Sequence, residues 1–225
     1  MILCVFILNL SYGQSNFIRG EELLMQNKPA QALKFLENSI AEDPAHVLAF
    51  LYLGIVYEQL NRSDDAITAY RRILGRGGDL AACISANLGN VYFRKGNFEY
   101  AEQFYSQALS ADSVYSSAYL GRANTRIKTG ALKDAVVDYE LYLTLEPRSP
   151  KRREIERMVA FIRSEFAAEE RRKLLAEEAA REDERRRQRL LDELAASLQA
   201  AAGGSQGLST GAENVEAYDD EFELQ

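Results

Sequence analysis

The sequence predicts an all-α chain: an α-solenoid of four stacked helix-turn-helix units, then a long charged helix and a disordered acidic tail. Four ladders of residues carry that expectation. Gly20, Gly54, Gly89 and Ala123 recur 34, 35 and 34 residues apart. Ala32, Ala66, Ala101 and Ala135 repeat at the same intervals twelve residues later, with Leu36, Tyr70, Tyr105 and Tyr139 four residues further on. Asn27, Asn61, Gly96 and Gly130 form a fourth ladder between the first two. A fixed period of this length marks a repeat architecture, in which each unit buries its apolar face only against its neighbours.

Each period reads as two short amphipathic helices, because apolar residues recur at three- and four-residue steps. The third unit is the clearest, with Leu88, Val91 and Tyr92 before the break and Ala101, Phe104, Tyr105, Ala108 and Leu109 after it. Antiparallel helices approach closely only where side chains are small, so the Gly/Ala ladder is expected to face the Ala ladder. The Tyr/Leu ladder fills the space between neighbouring pairs with a ring or a branched chain. Asn and Gly are the residues that enter the left-handed region cheaply, so their ladder marks where each first helix stops. Pro44 and Pro147 close units one and four, where the ring cannot continue a helix.

These ladders resemble the tetratricopeptide repeat, a 34-residue helix-turn-helix, over residues 13–150. The small-residue, aromatic and closing-proline positions align. Arg126 departs from the pattern by standing where an aromatic is expected, Gly78 and Ser113 replace the closing proline, and unit two carries one extra residue near Gly75-Arg76-Gly77-Gly78. The resemblance implies a right-handed solenoid that serves as a non-catalytic protein–protein interaction module, with the first helix of each pair lining a concave binding surface.

In chain order, Ile2 to Leu10 is a mostly apolar run followed by Ser11-Tyr12-Gly13-Gln14. It spans about 14 Å as a helix, far short of a bilayer core of about 30 Å. Small residues at Ser11 and Gly13 fit signal-peptidase cleavage before Gln14, so residues 1–13 are expected to be a signal peptide and the protein to be periplasmic or associated with the cell envelope. If the run is not cleaved, the location is cytoplasmic. The four units are expected at 14–46, 47–81, 82–115 and 116–150. Ile155, Val159, Ile162 and Phe166, with Met158 and Phe161, form a stripe expected to cap the last repeat as a helix over 151–168. Residues 169–202 read as an exposed helix supported by oppositely charged residues three and four apart. Its Leu190, Leu191, Leu194 and Leu198 are too short a run for a coiled coil alone, but suit docking on a partner or a second copy. Gly203-Gly204-Ser205 opens the tail over 203–225, which holds six acids and no base.

The net charge is −7, and no segment is strongly basic overall, which argues against nucleic acid as a partner. Cys4 and Cys83 give no disulfide framework. One histidine, His46, expected to be exposed, and one cysteine left after cleavage make neither a zinc site nor a nucleophile set. The glycine-rich Gly75–Asp79 loop lacks the ending of a phosphate loop and reads as a loosened turn between repeats. No enzyme activity and no cofactor are expected.

Function is therefore expected in the groove. Asn87, Asn90 and Arg94 share one helical face of unit three, and Asn124 and Lys128 repeat the last two 34 residues on. An amide offers a donor and an acceptor to an extended peptide backbone. The basic residues one turn further on favour a carboxylate. Relatives with a carboxylate-clamping groove carry lysine-type positions that here hold Phe17, Leu51 and Ala86, so the resemblance implies a peptide or protein partner other than that ligand. Leu24, Met25, Leu51 and Ile55 give units one and two an apolar groove, which would suit a partner's apolar anchor or lie under a neighbouring helix. Two further readings stand beside peptide binding: an assembly subunit that self-associates through Leu190–Leu198, and an envelope solute-binding accessory using the apolar groove. The acidic tail also complements Arg94 and Lys128 in charge.

Overall fold

The computed structural model describes residues 16–209, and these residues are helical without a strand. Helix α1 covers residues 16–25. It is followed by α2 (Pro29–Glu42), α3 (Val47–Gln59), α4 (Ser63–Ile73), α5 (Ala81–Arg94), α6 (Phe98–Ala111), α7 (Ser116–Thr129) and α8 (Leu132–Leu145). A last helix, α9, runs from Arg152 to Ser209. The helices pair as four successive hairpins, so the expected all-α solenoid is the observed fold. The chain divides into two compact units after Ile162.

Each hairpin turns in the same way. Asn27, Asn61, Gly96 and Gly130 have φ of +56°, +58°, +75° and +81°, the left-handed region in which Asn and Gly are least strained. The residue after each one donates its N–H to a carbonyl five residues back: Lys28 to Leu23, Arg62 to Tyr57, Asn97 to Tyr92 and Ala131 to Arg126, all at 2.8–2.9 Å. This is the Schellman closure that satisfies the last carbonyls of a helix, and it reverses the chain at the same point of every period.

The core lies between hairpins. Ala32, Ala66, Ala101 and Ala135 are fully buried, as are Leu36, Tyr70, Ile73, Ile84, Leu88 and Val91. The glycine ladder differs from expectation, because it is matched to the large residue sixteen positions on in the same unit. A Cβ on Gly20 would lie 2.7 Å from Leu36, on Gly54 2.3 Å from the Tyr70 ring, and on Gly89 2.8 Å from the Tyr105 ring. The absent side chain is thus the space that the ring occupies. Tyr105 also leans on the next unit, since a Cβ on Gly121 would come within 2.4 Å of it.

Unit four replaces part of this apolar packing by charge. Arg122, Arg126 and Asp138 occupy the positions that Leu88, Tyr92 and Phe104 hold in unit three. In unit three the Tyr92 and Phe104 rings stack 5.4 Å apart with an interplanar angle of 2°. In unit four Asp138, only 1% exposed, accepts two hydrogen bonds from Arg122 and one from Arg126, each 2.8 Å long. Arg126 reaches back to Glu102 of unit three at 2.7 Å. The arginine that breaks the aromatic pattern therefore has two acidic partners.

The extra residue of unit two is absorbed by two 3-10 turns, Leu74–Arg76 and Gly78–Leu80, with Gly78 at φ +50°. Helix α9 buries Ile155, Val159 and Ile162, while Phe166 is half-buried and Met158 and Phe161 are exposed. From 167 to 202 every residue is exposed. The helix does not stop at Gly203 as expected but continues to Ser209. His46 is half-buried rather than exposed: its Nδ1 accepts the Ala49 N–H and caps α3, and its ring lies 4.6 Å from that of Phe17. No helix among the described residues is long and apolar enough to cross a membrane. The expected signal peptide and most of the acidic tail lie outside the described residues.

Candidate functional site

Tyrosines of the second helices reach through the stack and fix polar groups on the first helices. Tyr105 donates its hydroxyl to Asn90 Oδ1 and Tyr139 donates to Asn124 Oδ1, each at 2.7 Å. Two of the three asparagines of the expected groove, Asn90 and Asn124, therefore have their acceptor oxygen committed to the protein. Unit two has Ile55 at the matching position, which offers no acceptor. There the Tyr70 hydroxyl donates instead to Glu58, one turn further along α3. The other oxygen of Glu58 pairs with Arg94 of α5. In unit one Leu36 has no hydroxyl, and Glu21 accepts from Tyr52 of unit two at 2.9 Å.

Burial pushes the hydroxyl pKa of these tyrosines above the ordinary 10.0. Desolvation is the main cause for Tyr70, reinforced by the charge of Glu58. For Tyr105 desolvation again leads, with Arg94 acting downward and Glu58 upward. Tyr115, half-buried near Cys83, is pushed up to about 12, chiefly by desolvation. The unfolded chain ionises near pH 10 and the folded chain only at higher pH. The stabilisation is therefore fully present below pH 10 and is lost as pH rises from there through 12. Urea denaturation at pH 7, 8 and 11 should give one midpoint at the first two and a lower one at the third, and Tyr70→Phe should flatten the fall.

An open groove of about 430 Å³ lies between α3 and α5, lined by Ile55, Glu58, Gln59, Asn61, Asn87 and Arg94. The first helices of units two and three thus share one surface, and the structure brings Asn87, Arg94 and Ile55 together on it. Asn90 is exposed on α5. Asn124 lies elsewhere, in a cavity of about 110 Å³ with Leu120, Tyr139, Lys151, Glu154, Ile155 and Met158, where the start of α9 meets α7. Lys128 is exposed at the end of α7. Of the expected apolar groove, Leu24 and Leu51 are buried in the core, Met25 is 70% exposed and Ile55 is half-buried. Neighbouring helices cover the first two because they point between hairpins, so they are not open to a ligand.

Glu58, Gln59, Asn61 and Tyr70 went unnoticed as site residues in the sequence. The signal was present for Glu58 alone, an acid in a ladder otherwise made of Leu24, Phe93 and Ile127. Asn87 Nδ2 faces Cys83 Sγ at 3.8 Å, so the half-buried thiol packs beside the groove. No cluster of three or more His, Cys, Asp or Glu suited to a metal occurs among the described residues.

Stacked hairpins whose first helices line a polar groove define a class, the helical-repeat scaffold that serves as a protein–protein interaction module and is generally non-catalytic. The chain belongs to the tetratricopeptide repeat family, whose sequence pattern matches residues 19–81 and 86–151. RNA polymerase II-associated protein 3 of Mus musculus is 31% identical over 112 residues, covering 49% of this chain and 17% of that protein. Protein FlbA of Caulobacter vibrioides is 28% identical over 145 residues, covering 64% of this chain and 24% of that protein. The chain spans less than a quarter of the length of either relative. The solved structure of Pseudomonas aeruginosa pilF superimposes with a TM-score of 0.61 over 71% of each chain at 18% identity, a likeness of fold.

Proposed function

We propose that this protein holds an extended peptide segment of a partner protein in the groove between α3 and α5, in a bacterial-type cell envelope. The observation that carries the reading is the open groove whose lining joins an apolar floor, Ile55, to the amides of Gln59, Asn61 and Asn87. Such amides pair with peptide groups whatever the side chains. Asn90, on the same helix as Asn87, contributes through its amide nitrogen, since its oxygen holds Tyr105, and Asn124 lies outside this groove. The envelope location rests on the apolar run Ile2–Leu10 and the small residues before Gln14. Loss of the apolar pocket at Leu24 and Leu51 weighs against the solute-binding alternative.

The test is a photo-crosslinker placed at position 59, in the full chain and in the variant Ile55→Ala/Asn87→Ala/Arg94→Ala, expressed in the native cell. A crosslinked partner seen with the parent and lost with the variant supports the groove. A partner that persists in the variant moves binding elsewhere. Amino-terminal sequencing of the same envelope preparation should begin at Gln14; an intact Met1 in a soluble cytoplasmic fraction overturns the export part.

A second reading has its own observation: Leu190, Leu191, Leu194 and Leu198 are 53–62% exposed on α9. They would join two copies. Sedimentation should then show a concentration-dependent dimer that Leu191→Ser/Leu194→Ser abolishes, and a parent that stays monomeric at all concentrations removes this reading.

A further inference from the structure

We infer that the groove between α3 and α5 takes an uncharged peptide segment, and that Glu58 is the residue that sets this choice. The inference rests on the peptide reading above and adds what kind of peptide enters. Arg94 alone would favour a carboxylate, since a guanidinium binds one bidentately. In the folded chain Arg94 already faces one. Glu58 pairs with it across the two units and is itself held by the Tyr70 hydroxyl.

The order of burial shows which partner is fixed. The Glu58 side chain is 14% exposed and that of Arg94 49% exposed. Tyr70 is fully buried. Both residues line the groove, the carboxylate as the more enclosed of the two and held by a fully buried ring, the guanidinium as the more exposed. An incoming carboxylate would have to displace a preplaced one or sit beside it as a like charge. Either costs more than the exposed pair returns. An incoming cation meets Arg94 first and is disfavoured in the same way.

A peptide group suits the pair better than either ion. Its N–H donates to the carboxylate and its C=O accepts from the guanidinium, so both charges stay compensated. Gln59, Asn61 and Asn87 extend the same two-way hydrogen bonding along the groove, and Ile55 offers an apolar floor for one side chain. The other basic residue near this end, Lys95, is engaged with Asp64 at 2.7 Å. The resulting specificity is for backbone, with small polar or apolar side chains and no net charge at the Glu58–Arg94 pair.

The reason Glu58 exists at all is structural. Asn90 and Asn124 satisfy their unit's tyrosine from one position, and in unit two that position is Ile55. The acid one turn later supplies the missing acceptor and neutralises Arg94 in the same act.

The test uses the full chain and a phage library of random octapeptides flanked by glycines, so that no free terminal carboxylate is offered. Selection is run on the parent, on Glu58→Gln and on Arg94→Gln, discarding sequences that also bind the variant Ile55→Ala/Asn87→Ala/Arg94→Ala. Glutamine at 58 still accepts from Tyr70, so the fold is kept, which a thermal melt checks. The parent should select peptides of no net charge, Glu58→Gln should enrich Asp and Glu roughly tenfold over the parent, and Arg94→Gln should enrich Lys and Arg. Acidic peptides selected by the parent, or an unchanged selection by Glu58→Gln, overturn the role of Glu58 while leaving peptide binding intact. No groove-dependent peptide from any of the three proteins overturns peptide binding itself, and this inference with it.

Discussion

Replacing Asp138 by alanine should lower the unfolding free energy by about 3–5 kcal/mol, a large part of the about 5–15 kcal/mol that a folded domain has. The carboxylate is 1% exposed and holds two arginines at 2.8 Å. Removing it strands two guanidinium groups, each less than a fifth exposed, without their shared acceptor. Asp138→Asn should cost nearly as much, because the amide carries no charge to compensate two guanidinium groups and its NH2 would face the Arg122 Nη2 donor. The triple variant Arg122→Leu/Arg126→Tyr/Asp138→Phe should recover the loss or exceed the parent. It installs the residues that unit three uses at the same positions, and well-packed apolar groups often match or better a buried ion pair. Urea melts of the three proteins test this. A stable Asp138→Ala protein would mean that the ion network contributes nothing, and an unstable triple variant would mean that unit four cannot host the aromatic stack.

The second large effect is expected from Gly54→Ala. Alanine favours a helix interior over glycine by about 0.5–1 kcal/mol, so the change would stabilise an exposed helix. Here the new Cβ would lie 2.3 and 2.6 Å from ring carbons of Tyr70. The ring is fully buried and its hydroxyl is tied to Glu58, so it cannot swing aside. Overpacking of this kind costs about 1–3 kcal/mol or more, and it outweighs the helix gain. The melting midpoint should fall, and Gly75→Ala, where a Cβ meets nothing within 4 Å, should leave it unchanged. A Gly54→Ala protein as stable as the parent would show that hairpin spacing relaxes freely. Because Tyr70 sets Glu58, the same variant should also disturb the charge pair of the groove.

The repeat fixed by composition and spacing was legible without coordinates. Period, hairpin count and turn positions follow from local chemistry: Asn or Gly for a left-handed residue, small residues at fixed intervals, and a stripe at helical spacing on α9. Each of these depends on residues within one or two turns of each other, which is what a linear sequence displays. Asn87, Asn90 and Arg94 were also readable as one helical face from their three- and four-residue spacing, whereas Ile55 was read with Leu24, Met25 and Leu51 and only the fold brings it to Asn87 and Arg94.

The tertiary structure decided the rest. Leu24 and Leu51 look identical in sequence to groove residues, and only the stacking angle of the hairpins places them in the core. Whether Arg126 was a flaw or a designed position depended on Asp138, twelve residues away on another helix, and on Glu102 in the preceding unit. The groove's charge turned on Glu58, whose partners Tyr70 and Arg94 lie on two other helices. Sequence alone determined the scaffold, because repeats are held by local contacts. The fold decided which polar groups remain free to meet a partner, because that depends on long-range pairs that satisfy buried hydroxyls and charges first.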